Sequence, residues 1–174
     1  MGLTGWTGLS EGDLPYDATM NTLFGMVALG PGGTNHNLFT LNQSTGVATI
    51  VGNIENADGS PSPGVWGIDY SAMAFDAAGN LWVIDTANGT LSLVNKNTAT
   101  IIHTIDLSIS FPGGLAPNTA GLAIDAATGI GYYVTGYGSA VELIYFDPFH
   151  RTVNNGGSAS RHHRRAVGTS LYGG

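Results

Sequence analysis

Gly8-Leu9-Ser10-Glu11-Gly12 spells the G-x-S-x-G pattern of a serine nucleophile elbow, a motif in which a strained strand-to-helix turn exposes the hydroxyl. The flanking residues do not supply that context. Asp13-Leu14-Pro15 opens a strand-like stretch, and Pro15 excludes a helix interior, so hydrolase chemistry at Ser10 is not expected. Five histidines, His36, His103, His150, His162 and His163, form neither a helical H-x-x-x-H pair nor the spacing of a structural zinc site. His36 follows the glycine-rich run Gly30-Pro31-Gly32-Gly33-Thr34-Asn35 and is expected to be a solvated loop residue; His103 and His150 carry the same expectation near strand ends. Adjacent His162 and His163 would capture transition metal only as any exposed histidine run does. Glu55-Asn56-Ala57-Asp58-Gly59-Ser60 offers oxygen ligands but too few for a calcium loop, and a polar turn before Pro61 accounts for it better. No catalytic residue, metal site or cofactor is therefore expected.

The residues that remain are organised by a repeat. Leu14-Pro15-Tyr16-Asp17-Ala18, Met73-Ala74-Phe75-Asp76-Ala77 and Leu122-Ala123-Ile124-Asp125-Ala126 share alternating apolar positions followed by Asp-Ala. After each comes a second strand (Leu23–Met26, Leu81–Ile84, Gly131–Val134) and then a third (Leu38–Asn42, Leu91–Asn95, Leu143–Asp147). A fourth follows as Ser44–Val51, Asn97–Ile102 and Phe149–Val153. Leu38, Leu91 and Leu143 recur at intervals of 53 and 52 residues, a period that signals stacked units rather than one irregular domain. Asp17, Asp76 and Asp125 look functional until their place is considered. Once per unit at a strand-to-turn junction, they most simply accept hydrogen bonds from turn backbone N–H groups.

The Asp-Ala-x-Gly-Asn-Leu-Trp turn and the Leu-x-x-Asn-x-x-Thr-Gly-x-Ala-Thr hairpin resemble the blades of secreted bacterial β-propellers of the NHL-like and quinoprotein-like kind. The resemblance covers about residues 8–153. It implies an all-β fold of three four-stranded antiparallel blades at about 8–54, 66–107 and 118–153, and an extracellular or periplasmic setting. Closed propellers typically have 4–8 blades; three would leave an apolar face at each end, which invites completion by self-association. The segment Leu3–Leu9 could serve as an outer strand of such a latch.

Composition narrows the function classes. Charged residues are 10% and Gly 27 of 174, far from a helical bundle. Residues 1–150 carry 12 acids against one Lys, a net of −11, so nucleic acid is excluded as a partner of the body. Residues 154–174 form a Gly/Ser/His/Arg tail holding Arg161, Arg164 and Arg165, read as a solvated terminus. The absence of Cys removes disulfides and thiolate chemistry. No apolar run reaches membrane-span length, and Met1–Trp6 lacks the basic and apolar regions of a secretion signal.

The long connections between units are where a ligand site is expected, since loops carry recognition. Trp66, Asp69 and Tyr70 in one and Asn118 in the next suit a small polar or carbohydrate ligand. The leading expectation is a non-enzymatic binding or assembly module that associates with itself. Two alternatives stay open: a propeller enzyme, a metal-assisted lyase or lactonase-like hydrolase, and an extracellular surface or filament subunit with glycan acceptors at Asn42-Gln43-Ser44 and Asn88-Gly89-Thr90.

Overall fold

The computed structural model describes residues 13–29, 35–60, 70–86, 88–107, 121–137, 140–148 and 152–156. Twelve strands alternate with turns, and no helix occurs among the described residues. The first sheet holds β1 (Tyr16–Asp17), β2 (Thr22–Leu29), β3 (Asn35–Leu41) and β4 (Ala48–Asn53). The second holds β5 (Tyr70–Phe75), β6 (Leu81–Asp85), β7 (Thr90–Val94) and β8 (Ile101–Asp106). The third holds β9 (Gly121–Ile124), β10 (Gly131–Tyr137), β11 (Ala140–Asp147) and β12 (Thr152–Gly156). Each sheet runs in chain order with every pair antiparallel. The molecule is all-β, three four-stranded blades of a β-propeller.

Local chemistry sets these boundaries. Pro15 cannot donate to the ladder, which shortens β1, although its carbonyl still accepts the Phe24 N–H at 3.0 Å. The β3–β4 turn is closed by Asn42, whose Oδ1 accepts Ser44 N–H and Thr45 N–H at 3.0 and 2.9 Å. Gly46 completes that turn at φ 72°, a conformation that suits a residue without a Cβ. The strand β12 continues to Gly156, past residue 153 where the apolar pattern stops. Its backbone pairs with β11 from Leu143↔Gly156 to Asp147↔Thr152, and such pairing is indifferent to the polarity of Asn154 and Asn155.

The blades stack face to face. Adjacent first strands meet, β1 against β5 and β5 against β9, and an apolar cluster fills each joint. Between the first and second blades lie Phe24, Met26, Leu38, Tyr70, Met73, Leu81 and Val83, among others. Between the second and third lie Ala72, Trp82, Ile84, Leu91, Leu122, Tyr133, Ile144 and Phe146. Calling the side toward the next blade the front, Phe24, Met26 and Leu38 are front residues of the first blade, and Trp82, Ile84 and Leu91 of the second. Their partners come from the back face of the blade that follows.

Two glycines allow aromatic rings to lie against their own sheet. Gly25 pairs with Phe39 and Gly131 with Phe146 across neighbouring strands. A Cβ at either glycine would fall inside the ring of its partner, so the residue type is fixed by close approach.

Candidate functional site

One end of the blades is built by the repeated aspartates. Asp17 Oδ1 accepts from Thr19 N–H at 2.8 Å and from its hydroxyl at 2.6 Å. Asp76 takes Ala78 N–H, Asn80 N–H, the Asn80 amide and Trp82 Nε1–H at 2.9, 2.9, 2.8 and 3.1 Å. Asp125 takes Ala127 N–H at 2.8 Å. These carboxylates brace turns, as their placement in the repeat requires. Burial pushes Asp17 and Asp76 upward, but the donors around them outweigh it and hold both below the usual carboxylate range. Asp125 is held low by Ala127 N–H and then Thr128.

Lys96 ties two blades together at this end. From the β7–β8 turn its Nζ reaches buried Asp17 Oδ2 of the first blade at 2.5 Å and Gly79 O of its own blade at 2.9 Å. The ammonium also lies 5.6 Å from the centroid of the Phe75 ring. Sequence reasoning passed over this residue. The signal was present in the chain's single lysine standing at the position that Gln43 occupies in the first unit.

The opposite end of the second blade gathers polar residues. Tyr70 pairs with Asp85 and Asp85 with Thr90 across β5, β6 and β7, and all three are buried. Asn88 donates its amide to Asp85 Oδ2 at 2.7 Å. His36 corrects its expectation as a solvated loop residue. It lies within β3, is buried, and meets the Tyr70 ring edge to face at a centroid distance of 5.2 Å. The hairpin ladder extends through His36↔Ala28 to Leu29↔Asn35, which leaves a shorter loop than the glycine run suggested. His103 stands exposed on β8.

Of the residues expected to bind a ligand, Tyr70 is the first residue of β5 and fully buried against His36; Trp66, Asp69 and Asn118 lie outside the described residues. So do Ser10, the segment Leu3–Leu9, His150 and the tail from residue 157. Asn56–Ser60 is a closed turn, with Asn56 N–H donating to Ser60 O and Ser60 N–H to Asp58 Oδ1, both at 2.9 Å. Among the described residues no group of three metal-ligating side chains occurs, and no helix is long and apolar enough to cross a membrane.

The strongest surface feature is at the two terminal faces. By register, Leu38↔Met26, Leu91↔Ile84 and Leu143↔Val134 are equivalent pairs. The first two are buried, whereas on the front of the third blade Leu143 is 46% exposed, Val134 40% and Tyr132 37%. The back of the first blade is exposed only in part, since Val27 and Phe39 on that face are buried. Leu14 and Tyr16, equivalent to Met73 and Phe75, are 54% and 48% exposed, with Ile50 beside Phe39 also exposed.

No family model and no curated protein sequence matches the chain. Among solved structures it is similar to a protein of unknown function from Bacteroides thetaiotaomicron, with 21% identity and a TM-score of 0.61. That likeness covers 88% of this chain and 35% of the other, so this chain spans about a third of that protein's length. A structure from Bacteroides uniformis described as "a putative 6-phosphogluconolactonase" aligns at 10% identity and a TM-score of 0.47, over 82% of this chain and 38% of the other.

Proposed function

We propose that the chain is a non-enzymatic binding and assembly module, extracellular or periplasmic, in which two copies complete a six-bladed ring. The observation that carries this reading is the contrast among Leu38, Leu91 and Leu143: one repeat position, buried twice and exposed once. In both internal joints a front face receives the back face of the next blade. The exposed front of the third blade and the partly exposed back of the first, at Leu14, Tyr16 and Ile50, correspond to the two halves of such a joint, and a head-to-tail contact between copies brings them together. Six blades fall within the usual range for closed rings. Tyr132, Val134 and Leu143 are each less than half exposed, so covering them stabilises by roughly 1 kcal/mol apiece, against which the loss of translational freedom is set. The ligand class proposed for the polar end of the blades, where Tyr70 lies, is a small polar molecule or carbohydrate.

Sedimentation equilibrium across the micromolar range tests the assembly. The wild-type chain is expected to be a dimer, Leu143→Lys a folded monomer, and Ile102→Lys, a charge placed on an exposed residue of β8, a dimer. A wild-type chain that stays a folded monomer at tens of micromolar overturns the reading.

A further inference from the structure

The internal joint between the first and second blades contains a polar latch as well as an apolar core, and the two terminal faces carry its separated halves. In the internal latch, Lys96 Nζ donates to Gly79 O of its own blade and to Asp17 Oδ2 of the blade before it. Gly79 sits at φ 79° in the turn between its blade's first and second strands. In the first blade, Asn21 occupies that turn position at φ 52°, and Gln43 Nε2 donates to Asn21 O at 3.1 Å. Gln43 thus holds the pose of Lys96 on the back rim of the first blade, with a second amide hydrogen left to give. On the front rim of the third blade stands Asp125, the equivalent of Asp17. Its Oδ1 accepts Ala127 N–H as Asp17 Oδ1 accepts Thr19 N–H, and Thr128 donates to the carboxylate as well; Oδ2 is the counterpart of the oxygen that receives Lys96.

We propose that Gln43 of one copy donates to Asp125 of a second copy, reproducing the Lys96–Asp17 latch across the joint between copies with a neutral donor in place of the ammonium. This rests on the self-association proposed above and adds its register: the back rim of the first blade against the front rim of the third. The internal latch joins two opposite charges, whereas a neutral amide on a carboxylate lacks that mutual Coulombic attraction, which makes the latch between copies the weaker of the two.

The test is a gain of affinity. Gln43→Lys restores the charge pair, and its exposed turn position makes a folding defect improbable; the dimer dissociation constant is read by sedimentation for wild type, Gln43→Lys, Asp125→Asn and the double variant. Expected is a roughly two- to fivefold lower constant for Gln43→Lys at about 50 mM salt, diminished at about 500 mM and abolished when Asp125 is Asn. A dimer whose constant is the same for wild type and Gln43→Lys at low salt, or a gain that survives Asp125→Asn, overturns the latch while leaving self-association intact. A wild-type chain without any dimer removes both, and that arm is read independently of the variants.

Discussion

The second and third blades share one pattern and differ in company. Trp82, Ile84 and Leu91 on the front of the second are sealed by the third, while Tyr132, Val134 and Leu143 at the same positions meet solvent. Repeat sequences specify the chemistry of both faces of every unit, whether or not a neighbour is present, because each unit buries its faces only by stacking. An exposed face in such an array keeps the chemistry of a face that packs on the back of a blade.

The sharpest way to break the comparison is to truncate the same residue in both places. Leu91→Ala should cost about 2–5 kcal/mol of unfolding free energy, the range for a fully buried leucine, as read by denaturant titration of a sample dilute enough to be monomeric. Leu143→Ala in the same dilute sample should cost less than about 1 kcal/mol and instead weaken association at high concentration. Equal losses at the two sites would mean that Leu143 is already covered within one chain.

The glycine–aromatic pairs sharpen it next. Gly131→Ala should destabilise by about 1–3 kcal/mol, because Phe146 must leave a packed position between the second and third blades. Shortening the ring in a Gly131→Ala/Phe146→Leu double variant should recover part of that loss.

Lys96→Met isolates the polar latch. It leaves Asp17 buried with its remaining donors and should cost roughly 1–3 kcal/mol, measured in the same denaturant series.

The smallest effect expected is acid sensitivity. Asp17 and Asp76 have folded pKa values below their unfolded ones, so the folded state binds fewer protons. Their contribution is fully present above the unfolded carboxylate value of about 3.9 and is lost as pH falls through the lowered folded values. Thermal unfolding should therefore be flat from about pH 5 to 7 and fall below about pH 4. Asp76→Asn should flatten that fall relative to wild type.

Much of this architecture could be read before the coordinates. The spacing of Leu38, Leu91 and Leu143 placed the three third strands, and the Asp-Ala junctions marked the turns, because both signals are local and repeat. His36 departs from expectation for an equally local reason: the glycine and proline upstream favour a loop, whereas pairing with Ala28 decides the strand. The Lys96–Asp17 latch joins residues 79 positions apart, and no spacing rule reaches across that distance. The buried polar end around Tyr70, Asp85 and Thr90 is likewise created by strand register, which composition does not display. Exposure of Leu143 depends on what stacks against it, and the residue's own sequence context is that of a buried position.

Engineered cross-linking bears on the central claim most directly, since the chain has no native cysteine. In the internal joint Phe24 and Phe75 meet edge to face at 5.3 Å, and Tyr132 and Tyr16 are their equivalents on the two bare faces. Copies carrying Tyr16→Cys and copies carrying Tyr132→Cys, mixed and treated with a short bismaleimide, should give covalent 16–132 pairs at twice 17.9 kDa in preference to 16–16 or 132–132 pairs. Like-with-like pairs alone, or no cross-linked species at concentrations where the mixture is folded, would contradict a front-to-back closure between copies.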